Sequence, residues 1–350
     1  MADIRMKIMQ VLGAKSSGGA ELFYFRLVQA LQEKADVLCV VREGSWVENR
    51  LKMLSIPYKS VPFGGFFDFK TEKLLSEYIE EFKPDVIQGW MNRACSKLPE
   101  TSVPTVGRMG GFYDLKNYKR CDYLIGNTKE LQHYFVENGF PEEKSFYIPN
   151  FAPVPDEKYK ANRADVRLTY GIPEDAKVLF IAGRLHHVKG IDTVIKALRS
   201  LPEDVHLLVA GSGKLKNEYQ ELAKHEGVEK RLHLIGWVDN LTVVASAADI
   251  WLVPSRQETL GNVVLDAWAH KLPVVASRTQ GPLSLIDEDI TGKLFDIEDV
   301  DTMVRHIESL LNAPKQAETM VAKALETLNL NFSEEIVVEK YMDFYKKVTS

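Results

Sequence analysis

The sequence is short of cysteine and of long apolar runs. Its 350 residues include three cysteines, Cys39, Cys95 and Cys121, an odd number without metal or redox spacing, which predicts buried reduced thiols. No apolar stretch reaches the length that crosses a membrane, and charged residues interrupt the short apolar run near Met1, so neither a transmembrane helix nor a signal peptide is predicted. These absences together predict a protein of the cytoplasm.

An excess of charge of either sign is also missing. The formal net charge of −5 argues against a general nucleic-acid binder. Residues 1–150 carry 20 Lys and Arg against 19 Asp and Glu, so the negative charge lies in residues 151–350. One segment, "RMGGFYDLKNYKR" (108–120), gathers four cations against one Asp. It predicts either a solvated face or a basic surface for a phosphorylated acceptor or an anionic lipid.

Short apolar runs alternate with helix-period segments along the whole chain. The runs that read as buried strands are "KIMQVL", "DVLCVV", "DVIQGW", "DYLIGN", "KVLFIAG", "VHLLVAG", "RLHLIG", "DIWLVP" and "PVVAS". Strands that alternate with helices imply parallel sheets covered on both faces. A chain of 350 residues is also longer than a single hydrophobic core usually supports, so two domains are expected. The segment 148–163 has three prolines and no periodicity, so it is predicted to separate two doubly wound domains.

Glycine-rich loops follow two of the predicted strands. The loop "GAKSSGGAEL" (13–22) places Gly13 and Gly18 at P-loop spacing, but Lys and Ser/Thr do not follow, so a P-loop is excluded. The glycine pair that opens the next helix predicts either a tight turn or a close backbone approach to an anion. The loop "VAGSGKLKNE" (209–218) lacks a third glycine at dinucleotide spacing, which argues against a nicotinamide site.

Two cations occupy the loop "GRLHHVKG", between a buried strand and a helix. Arg184 can fork onto two phosphate oxygens, while Lys189 supplies a movable point charge. The pair therefore predicts an anion pocket at the carboxyl end of the strand. The neighbouring His186 and His187 have no nearby Asp, Glu or Cys to complete a metal site, so both are assigned to the loop.

The stretch "PSRQETLGNVVLDAW" carries two carboxylates beside a glycine turn. Glu258 lies in the loop, and Asp266 lies one helical turn beyond Asn262 on the same face. Backbone N–H groups around Leu260 to Asn262 open the helix and suit the same anion as the two cations. The cations suit a diphosphate, and the carboxylates can accept hydrogen bonds from hydroxyl groups on either side of it. These residues therefore predict a nucleotide sugar as the ligand.

These residues resemble the donor domain of the retaining GT-B glycosyltransferases of family 4, which build lipopolysaccharide, capsule and glycolipid sugars. The family's Arg and Lys in "GR…KG" match Arg184 and Lys189. Its Glu-x7-Glu motif matches Glu258 and position 266, where this chain has Asp. The segments "GSGKL", "LIGWVDN" and "PVVAS" match the surrounding framework, and the amino-terminal glycine pair matches the family's glycine loop.

The resemblance implies a role for each matched residue. Arg184 and Lys189 neutralise the leaving diphosphate and Glu258 binds the donor sugar, so these three are the expected catalytic residues. Among the donor-binding residues, Asp266 binds the ribose and the turn from Gly236 to Val238 contacts the base. The full expected donor-binding set is Gly18, Gly19, Gly213, Gly236, Val238, Leu260, Gly261, Asn262 and Asp266.

A cofactor is not expected. The co-substrate is expected to be a nucleotide sugar, with a UDP-sugar as the first choice. No metal is expected, because two cations and the helix dipoles supply the charge that a metal gives in other transferases. The Asp-x-Asp triplets at 287–289 and 299–301 are interpreted as exposed acidic turns.

The resemblance also implies the fold and the acceptor half. It implies an α/β GT-B fold, in which two doubly wound Rossmann-like domains face a central cleft. The acceptor domain would span 1–155 plus 332–350, because the final helix crosses back, and the donor domain 156–331. The family often has a His near the acceptor, and "PTVGRMGGFYD" has none. The acceptor-side candidates are therefore Arg108, Tyr113, Asp114 and Lys116.

Three functions follow from these observations. The first is a retaining hexosyltransferase that moves a sugar to a saccharide or lipid-linked acceptor in lipopolysaccharide or other envelope glycan synthesis. The second is a nucleotide-sugar epimerase on the same fold, and the third is a binding protein without turnover. The expected partners are the donor and the acceptor, together with a peripheral contact with the cytoplasmic face of the inner membrane, but no nucleic acid.

Overall fold

The computed structural model describes residues 5–350 except 17, 66–67, 157 and 159–160. The chain divides into two compact units. The first unit comprises the chain up to Phe151 together with Glu334–Ser350, and the second unit comprises Ala152–Ser333. These divisions lie four and two residues from the bounds predicted above. Within the described residues, no helix has both the length and the apolar character that a membrane crossing requires.

The first unit is built on a parallel seven-stranded sheet with the strand order β3-β2-β1-β4-β5-β6-β7. Its described strands are β1 Lys7–Leu12, β2 Asp36–Arg42, β3 Tyr58–Val61, β4 Val86–Trp90, β5 Thr105–Met109, β6 Tyr123–Gly126 and β7 Ser145–Tyr147. The inner strands are buried along nearly their whole length, as strands of a sheet covered on both faces must be.

Helices connect these strands. Those before the second unit are α1 Gly19–Gln32, α2 Trp46–Met53, α3 Lys70–Phe82, α4 Met91–Cys95 and α5 Lys129–Glu137. Two of them begin with a side-chain cap. Ser45 accepts a hydrogen bond from the Glu48 N–H at the start of α2, and Thr128 accepts one from the Leu131 N–H at the start of α5. Each cap satisfies a backbone donor that the first helical turn leaves unpaired.

The second unit is built on a parallel six-stranded sheet with the strand order β10-β9-β8-β11-β12-β13. Its described strands are β8 Lys177–Ala182, β9 Val205–Ala210, β10 Leu232–Gly236, β11 Ile250–Val253, β12 Val274–Ser277 and β13 Lys293–Phe295. Its described helices are α6 Arg163–Thr169, α7 Ile191–Leu198, α8 Lys216–His225, α9 Leu241–Ala245, α10 Asn262–Ala269, α11 Gln280–Leu285, α12 Val300–Asn312 and α13 Pro314–Asn331. Apolar clusters cover both faces of the sheet.

The last helix, α14 Glu334–Thr349, belongs to the first unit. Its buried face joins the same apolar cluster as α1 and strands β1 and β2. A buried polar network ties it to the sheet. Tyr345 Oη accepts a hydrogen bond from Gln10 Nε2 at 3.0 Å and donates one to Gln88 Oε1 at 2.8 Å. Trp90 Nε1 donates to Gln10 Oε1 at 2.7 Å. The network fixes the position of α14, because misplacing it would leave buried polar groups without partners.

All nine predicted strands are present, and the α/β class with two doubly wound sheets is confirmed. Four strands were missed. β3, β7 and β13 are short and lie at sheet edges, so they carry no long apolar run. β5 is central and fully buried, but Gly107 and Arg108 interrupt its apolar pattern. The predicted linker is shorter than expected, because Ile148, Asn150 and Phe151 are buried in the first unit.

Candidate active site

The candidate site of the second unit lies at the carboxyl edge of its sheet. β8 pairs in parallel with β9 on one side and with β11 on the other, so the loops that follow these strands emerge at the same edge. The loop after β8 carries Arg184 and Lys189, and the loop after β11 carries Glu258. Residues that are far apart in sequence are thereby brought to one place.

Lys189 and Glu258 are in direct contact. Lys189 Nζ donates to Glu258 Oε2 at 2.5 Å, and the two side chains are 19% and 11% exposed. The Lys189 stem lies against Gly183, where a Cβ would be in ordinary van der Waals contact with it at 3.6 Å. The Glu258 carbonyl accepts a hydrogen bond from the Gly281 N–H at 2.6 Å. The cation and the carboxylate are thus held from two separate strand ends. The predicted phosphate-binding lysine and sugar-binding glutamate form an ion pair.

Two glycines with left-handed backbone allow these loops to pack closely against neighbouring segments. Gly190 has a φ of 62°, and a Cβ there would lie 1.9 Å from the Pro254 carbonyl oxygen. Gly261 has a φ of 65° and begins α10, and a Cβ there would lie 2.5 Å from Leu285 Cδ1. Any side chain at either position would clash, in a conformation that L-residues rarely adopt. Gly190 is therefore required for the β8 loop to pack on the end of β11.

An arginine that the sequence analysis did not single out fixes the loop of Glu258. Arg256 makes a two-pronged contact with Asp192 at the start of α7, with distances of 2.8 and 2.7 Å, and donates to the His187 carbonyl at 2.7 Å. Burial acts to raise the pKa of Asp192, but hydrogen bonds from Arg256 and its charge outweigh it and hold that pKa below its usual value. Arg256 stands two residues before Glu258 in "PSRQE", but no local pattern there reveals its pairing with Asp192.

The remaining residues predicted on this unit are placed as follows. The Arg184 side chain is exposed and makes no ion pair with any residue that the structure describes. Asp266 is half-buried on α10, one turn after Asn262. Gly213 lies in the loop after β9, where a Cβ would lie 2.3 Å from the Leu185 carbonyl oxygen. Gly236, with a φ of 80°, ends β10.

Two further predicted residues, Leu260 and Val238, lie in loops that follow strands β11 and β10. Leu260 is half-buried in the turn before α10. Val238 packs against the unit's apolar cluster, while the neighbouring Trp237 is 50% exposed. The structure therefore groups Arg184, Lys189 and Glu258 with the N-terminus of α10 and the loop after β9. This arrangement can hold an anion beside a polyol, because it presents cations and the N-terminus of α10 next to a carboxylate.

Residues 162–327 match the glycosyl transferases group 1 family, and that segment contains all three predicted catalytic residues. The matched segment covers most of the second unit.

The likeness extends beyond that unit. Over 332 residues the chain is 28% identical to the lipopolysaccharide core biosynthesis glycosyltransferase LpsE of Rhizobium meliloti (strain 1021), spanning 93% of this chain and 95% of LpsE. The fold is similar to that of Anabaena HepE in complex with UDP and glucose, with a TM-score of 0.84, 18% identity, and coverage of 98% of this chain and 100% of HepE.

A third comparison is with WaaG, a glycosyltransferase involved in lipopolysaccharide biosynthesis. Its structure has a TM-score of 0.67 and 18% identity, with coverage of 94% of this chain and 98% of WaaG. The two-sheet α/β architecture is thus the GT-B fold, and the chain is a glycosyltransferase.

In this glycosyltransferase the predicted glycine pair belongs to the first unit. Gly18 precedes α1 with extended backbone, and Gly19 is the first residue of that helix. The buried Glu21 side chain lies close to Gly18, 2.7 Å from the position that a Cβ would take. Both interpretations of the glycine pair, a tight turn and a close backbone approach to an anion, stay predictions.

Three acceptor-side candidates lie together in the first unit of the glycosyltransferase, after β5. Asp114 caps a 3₁₀ turn by accepting from the Lys116 N–H at 2.9 Å, and the Lys116 ammonium lies 2.8 Å from its carboxylate. Tyr113 is half-buried, and burial, with a smaller contribution from Glu21, raises its pKa. These three side chains reach solvent.

The fourth candidate, Arg108, is not on a surface, and the expectation that it faces an acceptor is corrected here. Its side chain is 1% exposed, with its guanidinium carbon 4.7 Å from the centre of the Phe23 ring and 4.6 Å from that of Trp90. Arg108 Nε donates to Tyr341 Oη at 2.7 Å, and a second nitrogen donates to Asn150. A charge in a core needs such partners, so Arg108 joins α14 to the sheet instead.

The acidic triplets have structural partners in the glycosyltransferase. Asp289 forms an ion pair with Lys293 at 2.6 Å, and Asp299 caps α12 by accepting from the Thr302 N–H at 3.0 Å. Among the residues that the structure describes, no group of three or more His, Cys, Asp or Glu side chains is placed to hold a metal ion.

Proposed function

We propose that the protein is a retaining, metal-independent hexosyltransferase that moves a sugar from a UDP-sugar to a saccharide or lipid-linked acceptor in lipopolysaccharide or other envelope glycan synthesis. The observation that carries this proposal is the contact between Lys189 and Glu258, beside the exposed Arg184 and inside the segment that matches the group 1 glycosyltransferases. One cation and one carboxylate in contact can serve a phosphate and a sugar hydroxyl that are neighbours in the donor.

Each side chain then has a task that its chemistry suits. Arg184 and Lys189 bind the diphosphate, and the backbone N–H groups that open α10 add positive potential. Glu258 accepts hydrogen bonds from the hydroxyls of the transferring sugar, and Asp266 accepts them from the ribose. The cations stabilise the diphosphate most strongly as it gains charge in the transition state, so their binding energy accelerates the reaction.

The reaction proceeds on one face of the sugar. The bond between the anomeric carbon and the diphosphate oxygen breaks, and the acceptor oxygen bonds to the same carbon from the same side. The acceptor proton passes to the leaving phosphate oxygen, so no histidine base is required. The products are UDP and a glycoside with the anomeric configuration of the donor. Two cations supply the charge that a divalent metal supplies in other transferases.

The relatives support the substrate class. LpsE is a lipopolysaccharide core glycosyltransferase, WaaG acts in lipopolysaccharide biosynthesis, and HepE was crystallised with UDP and glucose. We further propose that the reaction takes place at the cytoplasmic face of the membrane, with the protein held there peripherally. None of these three proteins is described as an epimerase.

The test measures nucleotide release and product together. Purified protein is screened by thermal shift against UDP-, GDP- and ADP-sugars, where a ligand at 100 times its Kd adds about 2.7 kcal/mol of stability. The best donor is then incubated with saccharide acceptors, with and without excess EDTA, and the product anomer is assigned by NMR. We expect a UDP-sugar to be used, EDTA to have no effect, and the anomeric configuration to be kept.

Other outcomes would contradict separate parts of the proposal. Strict dependence on Mg²⁺ or Mn²⁺ would overturn the role of the two cations. An inverted product would overturn the retaining mechanism, and an epimerised sugar formed from donor alone would replace transfer by epimerisation. Failure to hydrolyse or transfer from any donor, with binding intact, would leave a binding protein.

A further inference from the structure

Two loops bring Lys189 and Glu258 together, and Arg256 holds both of them. It belongs to the loop after β11, which also carries Glu258. Its backbone N–H donates to the Val188 carbonyl at 2.8 Å, and its guanidinium donates to the His187 carbonyl at 2.7 Å. These two carbonyls belong to the residues immediately before Lys189 in the loop after β8. One residue therefore connects the main chain beside the lysine with the loop of the glutamate.

The guanidinium of Arg256 also holds the start of the helix that follows Lys189. Arg256 Nη1 and Nη2 donate to the two carboxylate oxygens of Asp192, at 2.8 and 2.7 Å, in the first turn of α7. The two side chains are 14% and 20% exposed, so the pair is largely shielded from solvent. A forked contact of this kind fixes the orientation of both groups as well as their distance. The segment from His187 to Asp192, with Lys189 inside it, is thereby held at both ends.

The hydrogen-bond donors of Arg256 are all used within the protein. Nε donates to Glu298 in the loop after β13 at 2.7 Å, and Nη2 donates to the Thr193 hydroxyl at 3.5 Å. Together with the contacts to His187 and Asp192, these bonds account for all five N–H groups that a guanidinium offers. Every donor thus has a protein partner before a substrate binds, which distinguishes Arg256 from an arginine that binds phosphate directly.

We propose that Arg256 is a positioning residue for sugar transfer, which sets the place of Lys189 relative to Glu258. The proposal rests on the proposed function, in which those two side chains serve the diphosphate and the transferring sugar. A lysine has a flexible four-carbon stem, so the place of its ammonium depends on where its main chain is held. A displacement of about 1 Å at a reacting centre can lower a rate about 100-fold. Arg256 therefore contributes to the rate without touching the substrate.

A structural ion pair is the competing interpretation of Arg256. Such a pair would need only the contact with Asp192, which already balances the charge. Arg256 also donates to the carbonyls of two consecutive residues, His187 and Val188, and so fixes the course of the main chain just before Lys189. These contacts favour a positioning role. The two interpretations predict different results, because a structural pair changes how much protein is folded, whereas a positioning residue changes kcat of the folded protein.

The first experiment compares the initial rates of Arg256→Ala and the wild type over a range of donor concentrations. We expect kcat to fall about 10- to 100-fold and donor KM to change less than about threefold, because the groups that act in the transition state are still present but misplaced. Arg199→Ala is the matched control. It removes an arginine that is 75% exposed at the C-cap of α7, and it should keep wild-type kcat. Wild-type kcat in Arg256→Ala would overturn the proposal.

Two further variants keep the test valid if Arg256→Ala folds poorly. Asp192→Asn keeps the shape of the partner but accepts one of the two forked hydrogen bonds, so kcat should fall about tenfold. Arg256→Lys keeps the charge but cannot form the fork, so it should not restore wild-type kcat. Thermal unfolding shows that each variant is folded at the assay temperature. Wild-type kcat in both variants would show that the forked contact has no part in catalysis.

A double-mutant cycle shows whether Arg256 acts through Lys189. The effect of Arg256→Ala on kcat is measured in the wild-type protein and again in Lys189→Ala. Once the ammonium is gone, there is less for Arg256 to position, so its removal should cost at least about threefold less in kcat than in the wild type. Equal losses in both backgrounds would mean that Arg256 acts independently of Lys189, and the proposal would be wrong.

Hydrogen exchange followed by mass spectrometry tests the hold on the loop without any donor. In Arg256→Ala we expect the amides of residues 187–192 to exchange at least about tenfold faster, because local opening of this segment no longer breaks the guanidinium contacts. Strands β8 and β9 should exchange as in the wild type. Normal sugar transfer by the wild type with unchanged exchange of 187–192 in the variant would contradict this proposal alone. Faster exchange in a protein whose wild type transfers no sugar would instead contradict the proposed function.

Discussion

The ammonium of Lys189 and the carboxylate of Glu258 lie 2.5 Å apart, although 69 residues separate them in the chain. Both side chains are largely shielded from solvent. Before a donor binds, the lysine charge is therefore balanced by the glutamate. A diphosphate that approaches Lys189 competes with Glu258 for it, so the properties of either residue depend on the other.

Lys189→Ala is expected to lower kcat by about 100- to 1,000-fold, which is the usual effect of losing one preorganised group that stabilises developing negative charge. Donor KM should rise much less, because the lysine acts mainly in the transition state. Initial rates over a range of donor concentrations measure both. Lys196→Ala, an exposed lysine on α7, is the matched control. Wild-type turnover by Lys189→Ala would place the phosphate pocket elsewhere.

Glu258→Gln is expected to bind UDP about fivefold more tightly than the wild type while kcat falls. The amide cannot hold the lysine as an ion pair, so Lys189 is released to the diphosphate. A gain of about 1 kcal/mol, the upper end for exposed ion pairs, corresponds to about fivefold in affinity. Calorimetric titration with UDP measures the first effect and steady-state rates the second. Weaker UDP binding in this variant would show that Glu258 positions Lys189 for the phosphate instead of competing with it.

Asp266→Ala is expected to raise donor KM by about tenfold with little change in kcat. The ribose stays in place during the reaction, so its binding is equal in the ground and transition states. Hydrogen bonds to a charged group contribute about 1.5–3 kcal/mol, and the short Asp side chain argues for the lower end. Asp266→Glu should keep or tighten donor binding. If kcat collapsed while KM stayed constant, Asp266 would be a catalytic residue instead.

The sequence predicted the strands with long apolar runs and the loops at their carboxyl ends. Lys189 and Glu258 could be predicted because each follows such a run and the parallel sheet brings those ends together. Arg256 was missed because its role in holding the loop depends on its pairing with Asp192, 64 residues away. No local sequence pattern reveals that pairing.

Arg108 was predicted on the acceptor side, but the structure buries it. A cation among "RMGGFYDLKNYKR" looks solvated, yet the residue lies on the buried strand β5 and finds its partners Tyr341 and Asn150 far along the chain. The periodicity of a five-residue strand with Gly107 at its centre is too weak to show this burial. Side-chain partners from distant segments are set by packing, which sequence patterns do not report.

Arg108→Ala is expected to destabilise the first unit by about 2–6 kcal/mol, because Tyr341 and Asn150 each lose a buried hydrogen bond to the guanidinium, at about 1–3 kcal/mol apiece. Chemical unfolding followed by the fluorescence of Trp90, which contacts the guanidinium, reports the loss. UDP binding to the second unit should persist. Unchanged stability together with a specific loss of acceptor use would restore the acceptor role that the sequence suggested.

A pair of histidines in the second unit predicts a pH dependence of stability. His206 Nδ1 on β9 lies 3.0 Å from His233 Nε2 on β10, and the two rings stack. Burial, followed by the charges of His233, Arg231 and Arg167, lowers the pKa of His206 to about 4, with Asp204 opposing the shift. Burial also lowers the pKa of His233.

An unfolded histidine has a pKa of about 6.5, so between about pH 6.5 and 4 the unfolded state binds more protons than the folded state. The contribution of His206 to the free energy of unfolding is therefore fully present above about pH 6.5, and it decreases as the pH falls toward 4. We expect the free energy of unfolding to drop by about 2 kcal/mol from pH 7.5 to 5 on account of His206. Urea unfolding at several pH values measures this. His206→Gln should flatten the dependence and the exposed His225→Gln should not. An equal slope in all three proteins would exclude the pair.

The return of α14 to the first unit has a consequence for synthesis. The second unit is one continuous segment and can complete its core as soon as Ser333 has emerged. The first unit cannot, because the partners of Gln10, Gln88 and Arg108 on α14 are made only after the second unit. At about 5–20 residues per second, its open core waits roughly 10 to 40 s while the second unit is translated. A circular permutant that places residues 334–350 ahead of β1 would remove that delay, and it would aggregate less when chaperones are scarce.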